Sequence, residues 1–145
     1  MELLPLFGGD SGPPRVNWGH SMFSQLTHLE VQDEPTDSAM WGGLCQLPCL
    51  SHLCFFHINY SLVDHILSKC DTLRVLAVVE VTTGNIRRFP EDRRFVVVTM
   101  DDVMGDVMEN WERVVSGGED YWERAERFIQ ERKNGEIEAS RYVVE

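Results

Sequence analysis

Four short apolar segments recur along this chain at a nearly constant interval. Leu26-Thr-His-Leu29-Glu-Val31, Leu50-Ser-His-Leu53-Cys-Phe55 and Leu73-Arg-Val-Leu76-Ala-Val78 each read apolar-x-x-apolar-x-apolar, and Phe95-Val-Val-Val98-Thr-Met100 is a weaker fourth copy. Their starts lie 24, 23 and 22 residues apart (26 to 50, 50 to 73, 73 to 95). Self-similarity at such a period is the mark of stacked supersecondary units, each too small to bury its own apolar face. The hexamers are therefore expected to be neighbouring rungs of one parallel ladder, with side chains alternating between its two faces.

The period and pattern are those of leucine-rich repeats, in which a short strand is followed by a helix or 3₁₀ turn behind it. In the first spacer, Asp37-Ser38 is a candidate N-cap for Met40, Trp41, Leu44 and Leu47 at helical spacing, stopped by Pro48. In the second, Ser61-Leu-Val-Asp64 reads as a capping box opening Leu62, Val63, Ile66, Leu67 and Cys70. The third holds Gly84, Asn85, Pro90 and four arginines (Arg87, Arg88, Arg93, Arg94) and reads as an irregular loop, solvated or paired with acidic helices. The position that usually carries the Asn or Cys ladder falls on Glu34, Ile58 and Val81, so the repeats are irregular. After Met100 the spacing turns helical: Val103, Val107, Trp111 and Val114 form a stripe flanked by Met104 and Met108. Ser116-Gly-Gly118 then breaks the chain before a second amphipathic helix over 119–133. The expected architecture is α/β: a short leucine-rich-repeat solenoid of three to four parallel strands over 21–100 with convex helices. A flexible segment over 1–20 precedes it and a helical C-terminal cap over 101–145 closes it.

Composition narrows the function. A formal net charge of −11 repels phosphate backbones and anionic lipid, so no nucleic acid and no membrane is expected as partner. No run approaches the roughly 20 apolar residues of a transmembrane helix. Met1–Phe7 contains Glu2 and Pro5 and lacks the positive start of a secretory signal. A cytoplasmic setting follows, with a nuclear one as the alternative. Cys45, Cys49, Cys54 and Cys70 are then expected reduced and mostly buried, and the sequon Asn59-Tyr60-Ser61 unused. Gly9-Asp10-Ser11-Gly12-Pro13 resembles the nucleophile segment of chymotrypsin-like proteases. No His precedes Ser11, however, so it reads as a turn. Asp101, Asp102 and Asp106 read as a solvated helix start rather than acid/base groups.

In the ladder the x positions share one face. That places His28, Glu30 and Gln32 beside His52, Cys54 and Phe56, then Val75, Ala77 and Val79. His28 and His52 are expected to be lateral neighbours, with Glu30 and Cys54 one step along. Such N, O and S atoms suit zinc, but a plain surface row is the preferred reading, and no metal, cofactor or catalytic set is assigned. The apolar part from Phe56 to Val79 reads either as a binding patch or as covered by residues 1–20 or 137–144. The candidate partner-binding residues are His28, Glu30, Gln32, His52, Cys54, Phe56, Val75, Val79, Arg87 and Arg88.

Residues 21–137 resemble the C-terminal part of fungal F-box/leucine-rich-repeat-like proteins. The likeness rests on the first three hexamers with Leu47-Pro-Cys and Cys70-Asp-Thr before the second and third, and on the tail from Arg94-Phe-Val-Val-Val98 through Gly117-Gly-Glu-Asp-Tyr-Trp122-Glu-Arg-Ala-Glu-Arg-Phe128. The resemblance implies partner recognition by a repeat surface, sometimes within ubiquitin ligases. An F-box would lie upstream of the repeats, and residues 1–20 show no helical pattern for one. The chain thus reads as the end of a longer array, or as one whose first strand edge self-associates or is covered by the N-terminal segment. The expected function is a non-enzymatic protein–protein interaction module using the concave strand face and adjacent loops. The alternatives are a degenerate repeat fragment with no binding role and, more remotely, a hydrolase or zinc-binding protein.

Overall fold

The structure is a computed structural model that describes residues 16–32, 41–56, 60–80, 90–99 and 103–144, of residues 60 and 103–107 the backbone alone. All four hexamers form strands, and a short fifth follows: β1 (His28–Val31), β2 (His52–Phe55), β3 (Val75–Glu80), β4 (Phe95–Thr99) and β5 (Val143–Val144). They make one open, entirely parallel sheet in sequence order. Apolar side chains occupy both faces of the central strands, as a parallel sheet covered on both sides requires.

One face carries Leu53, Phe55, Leu76, Val78, Phe95 and Val97 and packs on Trp41, Leu44, Leu47, Val63 and Ile66. Here the first spacer's described part is a 3₁₀ turn, Leu44–Gln46, rather than the expected helix; residues 33–40 lie outside the described residues. The second spacer forms helix α1 (Tyr60–Lys69). It already includes Tyr60, so Ser61 sits inside the first turn and not at the cap. Cys45, in the 3₁₀ turn, and Cys70, just past α1, are joined in a disulfide with their Cα atoms 4.5 Å apart. This corrects the expectation of four reduced thiols: packing the two spacers side by side brings these cysteines within bonding reach. Cys49 and Cys54 are free.

The fourth rung departs from the sequence alignment. Leu76, not Leu73, pairs with Phe95, and Val79 pairs with Val98. The slip of three residues is odd, so it exchanges faces. Val97 joins the α1-side core, while Val96 and Val98 turn to the other side.

Residues 16–20, expected to be flexible, include Trp18, which packs on the core and on Phe23. Its indole lies where a side chain at Gly43 would be: an added Cβ would meet Trp18 Cδ1 at 2.8 Å. Gly43→Ala is expected to lower stability by about 1–3 kcal/mol. A urea midpoint equal to that of the parent would show that Trp18 moves aside freely.

The last third holds α2 (Val103–Val115) and α3 (Tyr121–Asn134). Gly117, at φ 80°, ends α2: Gly118 N–H donates to Arg113 O and Gly117 N–H to Val114 O. Asp120 caps α3 reciprocally with Glu123, and Gly135 closes it at φ 75°. The chain then returns to lay β5 against β4.

Candidate interaction surface

The apolar strand face, read either as a binding patch or as covered by residues 1–20 or 137–144, is covered, chiefly by α3. α3 lies across it, and Tyr121, Ala125, Phe128 and Ile129 pack with Cys54, Phe56, Val75, Ala77, Val79, Val96 and Val98 in a second core. The helix was expected to close the end of the array. It packs on the sheet face instead, burying its apolar stripe against Phe56, Val75, Ala77, Val79, Val96 and Val98. Cys54, Phe56, Val75 and Val79 are thereby buried, as is His52 at 4% exposure. Only His28, Glu30 and Gln32, at the β1 side, stay exposed. Arg87 and Arg88 lie outside the described residues.

Where α3 meets β1 and β2 the expected pairing of histidines is present. The His28 and His52 rings stack with centroids 4.0 Å apart, and Trp122 sets its ring edgewise to both at 5.5 Å. The same local device recurs one rung apart: a hydroxyl from the preceding residue meets Nδ1, Thr27 at 2.9 Å and Ser51 at 2.7 Å. His52 Nε2 lies 3.0 Å from Glu126 Oε1, and Glu126 also holds Arg74 at 3.1 Å. On the next residue pair, the Tyr121 hydroxyl donates to Glu30. These contacts are the polar rim of the α3–sheet interface.

A serine, a histidine and a carboxylate in line invite a catalytic reading. The His52 ring is buried beneath Trp122, and the Ser51 hydroxyl is equally placed to donate to Thr27 O at 3.2 Å. These contacts clasp β2 to β1 and to α3. Burial pushes the Cys54 thiol well up, which favours its protonated form. Among the described residues no group of three or more His, Cys, Asp or Glu is arranged to hold a metal ion. No helix there is long and apolar enough to cross a membrane.

The clasp has a pH dependence with a definite sign. Burial, then the neighbouring His28, push the His52 pKa below its ordinary 6.5, and together they outweigh the hydrogen bond to Glu126. The fold therefore holds His52 neutral, while the unfolded chain takes up the proton at higher pH. This contribution to stability is full above 6.5 and is lost as pH falls below it. His52→Gln should flatten that part of a stability–pH curve. An unchanged slope between about pH 6.5 and 5 in the variant would remove His52 as the cause.

Arg94, expected to be solvated or paired with acidic helices, is instead built into the frame. It donates to Leu67 O at 2.5 Å, to Cys70 O at 3.1 Å and to Asp92. Burial disfavours the Asp92 charge, but the Arg94 hydrogen bonds outweigh it and hold that carboxyl below its usual range. Between Arg94, Arg74 and α3 runs an open cleft of about 480 Å³ whose carboxylates, Glu123 and Glu126, are already engaged.

No family model, curated protein or solved structure matches the chain.

On helix α2, Glu109, Asn110 and Arg113 line a small cavity of about 160 Å³ with Val98, Thr99, Tyr121 and Arg124. In its second half the apolar side chains are exposed, Met108 at 55%, Trp111 at 60%, Val114 at 41% and Val115 at 67%. The stripe was legible in the sequence. Its direction was not, because the cavity-side contacts come from β4 and α3.

Proposed function

We propose that the chain is a non-enzymatic protein-binding module, built as a short leucine-rich-repeat-like solenoid whose inner face is filled by its own helix. The binding surface then lies outside the sheet. The observation that carries this reading is the exposed stripe of α2. A chain folding only for itself gains by turning Trp111, Met108 and the two valines inward, whereas grouped, exposed apolar side chains usually mark a docking site. The resemblance of residues 21–137 to F-box/leucine-rich-repeat-like chains supports partner recognition as the general role. His28, Glu30 and Gln32, still accessible beside β1, are a secondary contact region in this reading.

The test is recovery of a stoichiometric polypeptide with the tagged chain, followed by reconstitution of that complex from the two purified components. Complex formation at micromolar concentrations supports the module. Failure to reconstitute any complex from repeated purifications removes it in favour of an inert repeat copy.

A further inference from the structure

Helix α3 is fastened to the sheet by two unlike polar devices. Its last turn holds the buried Arg132, whose guanidinium donates to the carbonyls of Arg93, Phe95 and Arg141. A guanidinium keeps its charge throughout the physiological range. Phe128 and Ile129 lie buried on the same half of the helix. The first half rests instead on groups that titrate. Trp122 sets its edge on the His28–His52 stack, Glu126 meets His52 Nε2 at 3.0 Å, and the Tyr121 hydroxyl donates to Glu30. Ahead of this half the chain runs through Gly117 and Gly118, both exposed.

We infer that the first half of α3 is an acid-released latch: charging of the stacked His28 and His52 lifts Tyr121 to Glu126 off β1 and β2, while the Arg132 end stays in place as the pivot. Histidine is the side chain that changes charge between about pH 5 and 8. The two rings lie with their planes 10° apart and their centroids at 4.0 Å, and His52 is buried. Positive charge on both therefore sets like charges face to face, away from water on one side. The groups around them do not offset this. From α3, Glu126 is the carboxylate that meets His52, and it is already shared with Arg74, ahead of β3, at 3.1 Å. On β1, Glu30 is taken by Tyr121 of α3. Burial keeps both that tyrosine and Cys54 of β2 in their protonated, uncharged forms. The Thr27 and Ser51 hydroxyls at the two Nδ1 atoms belong to the residues before each histidine, so they travel with the strands and do not hold α3.

In the closed position burial and then His28 keep His52 below its ordinary value, more than Glu126 raises it. Lifting α3 returns the ring to water. The open form thus binds the proton more tightly, and falling pH drives the opening. The latch uncovers the face of β1 and β2 that carries Glu30, His52 and Cys54. The repeat pattern puts partner-binding positions there, so the device gates a second surface, separate from α2. That consequence rests on the protein-binding reading above; the opening itself does not.

Hydrogen exchange of the full chain at about pH 7 and about pH 5.5, corrected for the intrinsic rate, reads the opening. Protection of amides 124–127 is expected to fall about tenfold, while β3, β4 and residues 129–134 keep theirs. Cys54 gives a second readout. A pyridyl disulfide, which reacts with thiols in mild acid, should label it about tenfold faster at the lower pH, relative to the half-exposed free Cys49. His28→Gln and His52→Gln should each hold the latch closed at both pH values. His28 is exposed, so its variant keeps the fold even if the buried one fails to. Unchanged protection with an unchanged Cys54-to-Cys49 ratio overturns the inference. So does an opening of the same size in His28→Gln. So does a loss of protection in all strands together, which is ordinary acid unfolding. If α3 opens as expected but a reconstituted complex is indifferent to pH, the latch stands and its gating of a partner is rejected. If no complex reconstitutes, the binding module falls and the opening is still decided by exchange alone.

Discussion

Replacing Arg132 by methionine is expected to destabilise the protein by about 3–5 kcal/mol, the scale on which breaking a buried, charged hydrogen-bond network acts. Arg132 sits in the last turn of α3, where a basic side chain ordinarily reaches solvent. Here it is buried, and its guanidinium donates to three backbone carbonyls: Arg141 O at 2.8 Å, Arg93 O at 2.6 Å and Phe95 O at 2.9 Å. It also lies over the Tyr142 ring at 4.6 Å and the Phe128 ring at 5.6 Å. One side chain therefore ties α3 to the start of β4 and to the segment that leads into β5. Methionine matches much of the stem but supplies no donors, leaving these carbonyls without their charged partner. Lysine keeps the charge with a single donor centre and should recover only part of the loss. Urea denaturation of the two variants measures both effects. A methionine variant within about 1 kcal/mol of the parent would show that water reaches these carbonyls and that the staple contributes little.

Reduction of the Cys45–Cys70 bond should lower stability by about 3–4 kcal/mol, from the chain entropy released when a link across 25 residues opens. The bond ties the first spacer to the end of α1, the two layers that back β2. Breaking it frees the segment carrying Trp41, Leu44 and Leu47, all buried in the α1-side core. The measurement compares urea midpoints with and without reductant, and then the Cys45→Ala/Cys70→Ala double variant. Intact-mass analysis after alkylation should find two reactive thiols, Cys49 and Cys54, in the unfolded oxidised chain. Four would mean that the bond is absent and the cysteines are reduced, as the residue pattern alone implies for an intracellular chain. Equal midpoints under both conditions would show that packing alone holds the spacers together.

The hexamers are where reading and structure agree most closely. Apolar-x-x-apolar-x-apolar at intervals of 22–24 residues can satisfy both its backbone and its side chains by forming adjacent parallel strands, and it does so from β1 to β4. The stacked histidines were legible for the same reason, since equal positions in consecutive rungs must be neighbours. The slip at the fourth rung was not. Phe95-Val-Val-Val98 is apolar at every position, so the pattern gives no preference between faces, and the register is set by what each face must fill. The 3₁₀ turn in place of a first helix has a similar origin: Trp41, Leu44 and Leu47 fit either geometry over so short a span.

The linear order of residues decided which positions repeat, where the four hexamer strands lie, where α3 begins and ends, and how acidic the molecule is. These are local or periodic properties, and each carries its own chemical signature along the chain. Tertiary structure alone decided that α3 covers one face of the sheet, that Trp111 and its apolar neighbours on α2 stay exposed, and that Cys45 meets Cys70. Each of those outcomes is a competition among surfaces far apart in sequence for a limited area of contact. The burial of Phe56, Val75 and Val79 under Ala125, Phe128 and Ile129 is one such outcome.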